Sequence, residues 1–225
     1  MGTNFDEIIN RKNTNSLKYD FAVERGKPAG ILPLWVADMD FRVPKEVLDD
    51  IQKAVSHGIF GYSDVKESYF VPVHQWFLKH FQWDTKAEWL IKTPGIVYAI
   101  SVAINAYTKE GEAVMIEQPV YYPFMECVLD NNRKLVNNQL VYSNGKYSID
   151  FEDFEAKIIA ENVKLFLLCS PHNPVGRVWT IEELTQIGDI CLRHGVIVLS
   201  DEIHFDFTYE GYKHTIFANI KSRFE

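Results

Sequence analysis

A histidine and an asparagine stand among two prolines in Ser170-Pro171-His172-Asn173-Pro174-Val175-Gly176-Arg177, directly after the apolar run Val163 to Cys169 (VKLFLLC). A run that apolar reads as a strand buried on both faces, and a simple connection after it would need only a turn. Proline restricts the backbone, so this loop reads as a device that holds one side chain, Asn173, rigidly at a sheet edge. Two other stretches carry comparable chemistry. Asp201 ends the apolar run VIVLS and opens Asp-Glu-Ile-His (Asp201 to His204), and Gly95-Ile96-Val97 opens a helical pattern. A helix N-terminus offers free N–H groups and a positive dipole end to a phosphate. A carboxylate can pair with a protonated ring nitrogen, and an amide can donate to a ring oxygen. Tyr121, in QPVYYPF, can stack on a ring face. Together these suit an aromatic, nitrogen-containing, phosphorylated cofactor. A charge-assisted bond of this kind contributes roughly 1.5–3 kcal/mol, and each ~1.4 kcal/mol moves a pKa by about one unit, so Asp201 alone can decide the ring's charge.

Each residue also has an ordinary reading. Asp201 can be a loop acid or helix cap, Asn173 a turn residue, Tyr121 and Tyr122 core aromatics, and His204 a structural histidine. What raises the chemical reading is their common position in the chain's pattern. Pro44 begins a helix running to a stop at Gly58, and a second helix is expected over Asp64 to His80, kinked or delayed by Pro72. From Trp89 onward strands and helices alternate. WLIKT reads as a strand, GIVYAISVAINAYTKEG as a helix ended by Gly111, AVMIEQP as a strand, PFMECVLDNN as a helix and KLVNNQ as a strand. VYSNGKYSI is a hairpin turning at Asn144-Gly145. FEDFEAKIIAE is helical, VKLFLLC a strand, IEELTQIGDICLRHG a helix N-capped by Thr180, and VIVLSDE a strand. Such alternation implies an α/β fold with a mainly parallel sheet covered by helices on both faces. Ligands in such folds bind beyond the carboxyl ends of the strands, where TPGIV, SPHNPVG and DEIH all fall.

Several function classes are excluded. The chain has 225 residues, 47% hydrophobic and 14% aromatic, enough for a sizeable core and unlike a disordered chain. Its net charge is −8, without a basic stripe, which argues against nucleic acid or anionic membranes as partners. Cys127, Cys169 and Cys191 lie far apart in apolar contexts, an odd count that reads as reduced core thiols, and no metal-ligand spacing occurs. No run is long enough to span a bilayer and the N-terminus has no apolar leader core, so the expected location is the cytoplasm. GxGxxG, the P-loop and GxSxG are all missing, which removes dinucleotide, P-loop and nucleophile-elbow readings.

The set Gly95 to Val97, Pro119 to Tyr121, His172 to Arg177 and Asp201 to His204 resembles the fold-type-I pyridoxal-phosphate enzymes, in their class I/II aminotransferase branch. With WVADMDF (Trp35 to Phe41), FGYSD, the histidine before NPVGR, and DEIH, it is most similar to the cystathionine β-lyase-like C–S lyases, and order and spacing agree over nearly the whole chain. The resemblance implies pyridoxal 5'-phosphate as cofactor, with Gly95, Ile96 and Val97 on the phosphate, Tyr121 stacked on the ring, Asn173 on the phenolic oxygen and Asp201 at the ring nitrogen. It places His204 near the same phenolic oxygen. It implies a homodimer in which Tyr62 reaches the neighbouring subunit's phosphate, and a substrate pocket bordered by Trp35 and Asp38. Residues 1–44 would then be an N-terminal arm or part of a small domain, and 45–225 a partial large domain.

The family's Schiff-base lysine is expected in a Ser-x-Ser-Lys-like segment after the aspartate. Lys213 (GYKHT) and Lys221 (NIKSR) follow Asp201, but neither has those flanks. The expectation is therefore the N-terminal part of a lyase that eliminates the sulfur substituent of an amino acid, giving pyruvate, ammonia and a thiol. The alternatives are an aminotransferase, or an inactive cofactor-binding or interaction module.

Overall fold

The computed structural model describes residues 4–224. The chain forms two compact units, Met1–Asp64 and Val65–Glu225. The first is largely irregular and is tied by polar contacts rather than by regular structure. The Asp20 carboxylate accepts the N–H groups of Asn13, Thr14 and Ser16 at 2.9, 3.0 and 3.1 Å, which holds it below the usual carboxylate range. Arg11 bonds Asp38 and lies 2.7 Å from Asp40, while the Lys18 ammonium lies 3.2 Å from Asp40 and 3.0 Å from the Asp38 carbonyl. Helix α1 (Lys45–His57) follows Pro44, which serves as its N-cap, and ends where Gly58 takes φ 71°.

The second unit begins with α2 (Glu67–Phe81), which starts three residues later than Asp64 and runs through Pro72. Its aromatic side packs on the segment after the last strand: Phe77 and Phe81 each lie 5.3 Å from the Phe205 ring. The strand expected over WLIKT does not form. Ala87–Trp89 make a 3-10 turn and Leu90 to Thr93 are irregular, with Ile91 82% exposed. Strand propensity without a neighbouring ladder leaves backbone groups to water, and no strand among the described residues lies alongside. Helix α3 (Ile96–Tyr107) also ends before Gly111. Arg133 reaches over its end, bonding the Thr108 hydroxyl at 2.9 Å and the Thr108 carbonyl at 2.6 Å, where a cation complements the helix dipole. Gly111, at φ 79°, instead serves the turn into the sheet.

The sheet comprises β1 (Ala113–Ile116), β2 (Lys134–Asn137), β5 (Leu165–Cys169) and β6 (Ile197–Asp201), in the order β2-β1-β5-β6 and parallel throughout. The hairpin β3 (Val141–Ser143) and β4 (Lys146–Ser148) stands apart, turning at Asn144 and Gly145 with φ 51° and 76°. Helix α4 (Pro123–Asp130) links β1 to β2, α5 (Phe151–Glu161) precedes β5, and α6 (Ile181–His194) links β5 to β6. Alternation along the strands divides the core in two. Val114, Ile116, Leu165, Leu167 and Cys169 pack under α3 and α4, whereas Ala113, Met115, Phe166 and Leu168 pack under α5 and α6. Both central strands are buried along their whole length and the edge strands are not, as a doubly covered parallel sheet requires.

Thr180 and Glu183 form a reciprocal capping box at the start of α6, the Glu183 N–H donating to Thr180 at 3.2 Å and the Thr180 N–H to Glu183 at 2.8 Å. Thr180→Ala should destabilise the chain by about 1 kcal/mol in urea titration; an unchanged midpoint would mean that the cap contributes nothing.

Glu117 follows β1 directly and continues the inward face of Ala113 and Met115. It is 1% exposed, and neither carboxylate oxygen has a partner. Burial, with Glu183 second, pushes its pKa from 4.5 up to about 8. The folded chain therefore keeps a proton that the unfolded chain loses, and stability present below about pH 4.5 is lost as pH rises towards 8. Glu117→Gln removes this titration. Its stability gain over the unaltered chain should be small near pH 5 and on the order of 2–4 kcal/mol near pH 8. A gain equal at both pH values would show that the carboxyl titrates normally.

Candidate functional site

The chain enters β1, moves outward to β2, then returns to β5 on the other side of β1 and continues to β6. The direction of winding thus reverses between β1 and β5. In open parallel sheets the loops leaving two such strands diverge and open a crevice at their carboxyl ends. The loop after β1 carries Tyr121, the loop after β5 carries Asn173, and β6 ends on Asp201. Helix α3, whose first residues follow Gly95, packs against α4 and β6.

These elements bring the second unit's candidate residues to one end of the sheet. Asp201 is the direct neighbour of Cys169 in the β5–β6 ladder, and the Ser170 N–H donates to the Asp201 carbonyl at 3.0 Å. The Cys169 thiol accepts the Asn173 N–H at 3.4 Å, so the amide-bearing loop is anchored beside the aspartate. Tyr121 lies close enough to Asp201 for the carboxylate to help raise its hydroxyl pKa, after burial and Tyr122. Across the α3–α4 contact, the Cys127 thiol donates to the Val97 carbonyl at 3.6 Å, joining the start of α3 to the helix that follows Tyr121.

Electrostatically, Asp201 is the odd member. Burial raises its pKa, opposed by the Ile203 N–H, which donates to Oδ1 at 3.1 Å, and by His204. A half-buried carboxyl whose charged form is disfavoured by desolvation gains most from a cationic donor. At the start of α3, the first helical bond runs from the Ala99 N–H to the Gly95 carbonyl at 3.1 Å, and no side chain caps the helix. The Ile96, Val97 and Tyr98 N–H groups precede that bond and are not used by the helix. Nothing stands within 4 Å of where a Cβ on Gly95 would project, so packing within the chain does not demand glycine there. A carboxyl seeking a cation, a polar loop, an exposed tyrosine face and an uncapped helix end fit a phosphorylated pyridine.

His204 sits in the turn after β6, edge-on to Phe207 at 6.3 Å. Three further candidates belong to the first unit. Tyr62 is fully exposed, Trp35 lies under the Lys27 ammonium at 5.7 Å, and Asp38 is engaged by Arg11 and Lys18. Of the two lysines that follow Asp201, Lys221 pairs with Asp189 of α6 at 2.9 Å, and Lys213 lies in an exposed segment.

The sequence reading missed the scaffold behind the loops. Trp179 is buried and donates from Nε1 to the Cys169 carbonyl at 2.9 Å. Arg177 lies over the Trp179 ring at 4.5 Å, bonds Glu183 at 2.7 and 2.9 Å, and also reaches the Tyr147 carbonyl. A tryptophan three residues beyond the glycine of NPVGR was the available signal. Among the described residues no cluster could hold a metal ion, and no helix is long and apolar enough to cross a membrane.

Comparison with known proteins gives one direction. The family model described as aminotransferase class I and II matches residues 30–224. Cystathionine beta-lyase PatB of Bacillus subtilis is 42% identical over 221 residues, covering 98% of this chain and 57% of PatB. Cystalysin of Treponema denticola, solved with a pyridoxal 5'-phosphate cofactor, superposes with a TM-score of 0.93 at 39% identity, over 100% of this chain and 57% of its own. The pyridoxal-phosphate-bound C–S lyase of Staphylococcus hominis gives 0.91 at 35% identity, over 98% and 56%. The chain thus spans a little over half the length of the relatives it matches. On its sheet order, its loop chemistry and the match over residues 30–224, the chain belongs to the class I and II aminotransferase family.

Proposed function

We propose that these 225 residues are the N-terminal part of a pyridoxal-phosphate-dependent C–S β-lyase, acting on a sulfur amino acid such as cystathionine and giving pyruvate, ammonia and a thiol. The observation that carries the reading is Asp201: a half-buried carboxyl at the end of β6, raised by burial and set beside the loops of Tyr121 and Asn173. PatB is named a cystathionine beta-lyase and the Staphylococcus hominis protein a C–S lyase, which favours elimination over the transamination that the family description carries.

In this reading the N–H groups of Ile96 and Val97 hold the phosphate, with Gly95 letting the backbone approach it. Tyr121 covers one ring face, Asn173 donates to the phenolic oxygen with His204 nearby, and Asp201 holds the proton on the ring nitrogen. Bound pyridoxal phosphate supplies the electron sink that stabilises the charge left when an amino acid loses its α-proton. The remaining assignments rest on resemblance: residues 1–44 as an N-terminal arm or part of a small domain, 45–225 as a partial large domain, Trp35 and Asp38 bordering the substrate, and a cytoplasmic homodimer to which Tyr62 contributes. Because Lys221 is paired elsewhere and Lys213 lacks the flanking pattern, this stretch alone binds the cofactor without a covalent bond and does not turn over.

Titration with pyridoxal phosphate, followed by the cofactor's absorption, should show saturable binding that borohydride does not fix to the chain. Asp201→Ala should weaken it about tenfold or more, the effect of one charge-assisted bond. Incubation with the cofactor and an S-substituted cysteine should release no pyruvate above the rate of free cofactor. Equal binding by Asp201→Ala would contradict the site, and rapid pyruvate release would contradict the inactivity of this stretch.

A further inference from the structure

His172 lies between the two loops that diverge at the reversal of the sheet. Its Nε2 is 3.0 Å from the Pro119 carbonyl, a bond that joins positions 53 apart in sequence. An imidazole nitrogen facing a carbonyl must carry the proton, which fixes the ring as the Nε2–H tautomer. The ring is 2% exposed and stands edge-on to Trp179 at 5.4 Å. The backbone of the same residue closes its own loop, the His172 N–H donating to the Arg177 carbonyl and the Gly176 N–H to the His172 carbonyl, both at 2.8 Å. His172 is therefore fixed to the β5 loop by main chain and by Trp179, and to the β1 loop by side chain.

Its immediate neighbours in sequence explain why this matters. Pro119 is two residues before Tyr121, and Asn173 follows His172 directly. That bond thus ties the segment that carries Tyr121 to the segment that carries Asn173. From this geometry we infer that His172 is a positioning residue: it holds the Tyr121 and Asn173 loops at the spacing of one pyridine ring, without itself touching the cofactor. The inference rests on the cofactor reading proposed above.

Protonation does not switch this contact at ordinary pH. Burial lowers the His172 pKa from 6.5 to about 4, so the ring remains neutral. Nδ1 is buried and makes no hydrogen bond.

The test compares His172→Phe and His172→Gln with the unaltered chain, using pyridoxal phosphate itself as probe. Phenylalanine keeps a ring against Trp179 and loses the donor; glutamine restores an amide N–H near the position of Nε2. Two readouts are taken: the dissociation constant, and the circular dichroism induced in the cofactor band at saturation, which reports how the ring is held. His172→Phe should weaken binding about tenfold and reduce the induced signal per bound cofactor, and His172→Gln should recover most of both. Far-ultraviolet dichroism and the thermal midpoint identify a variant that has not folded, in which case His172→Gln decides by itself: normal binding and signal support the inference, and a folded glutamine variant with neither overturns it. A folded phenylalanine variant with unchanged affinity and signal, beside an unaltered chain that binds, overturns the positioning role alone. Failure of the unaltered chain to bind overturns the cofactor reading and this inference with it.

Discussion

Two neighbouring strands buried from end to end, β1 and β5, force every polar group they carry to their carboxyl ends. Inside a doubly covered sheet a polar side chain without a partner costs on the order of 1–3 kcal/mol, so chemistry can be placed only where the strands stop. The winding reverses between these same two strands, and their outgoing loops part instead of covering each other. Asn173 and Tyr121 owe their placement to that reversal, and Asp201 to its register beside Cys169 one strand further on. The site follows from strand order before any single residue is considered.

The loops are kept in place by contacts on the far side of the sheet from Asp201. Trp179 holds the carbonyl of Cys169, Arg177 stacks on Trp179 and locks to Glu183, and Glu183 also caps α6. The start of α6 is therefore coupled to the loop after β5 through one arginine and one glutamate. Glu117, protonated at neutral pH in this same layer, shows the cost of ending a buried strand on a carboxyl: without a partner it gives up its charge. These residues need no contact with a ligand to matter, because a binding geometry is only as rigid as the shell behind it.

What the amino-acid order reveals directly is what local physics decides. The Asn144-Gly145 turn, the Thr180 cap and the double-faced burial of Leu165 to Cys169 each depend on a few adjacent residues, and each forms where the pattern places it. The candidate residues Tyr121, Asn173 and Asp201 were legible as unusual chemistry at strand ends and Gly95 as a helix start, although the strand expected before Gly95 does not form. The structure brings the segments that carry them to one end of the sheet. The illegible part is non-local. WLIKT has strand propensity but no ladder, Arg133 ends α3 from a distant turn, and His172 meets a carbonyl 53 positions away. The state of Glu117 depends on what surrounds it in space, which no neighbouring letter reports.

The central claim is that the chain gathers a carboxylate, an amide and a helix end around one pyridine ring, with Asp201 at its nitrogen. Nuclear magnetic resonance of pyridoxal phosphate labelled with nitrogen-15 in the ring reads that contact directly. The account predicts that the bound nitrogen keeps the shift of a protonated pyridine above the pH at which the free cofactor loses its proton, and that Asp201→Ala abolishes this difference. A bound cofactor whose nitrogen titrates as it does in water, with Asp201 intact, would contradict it.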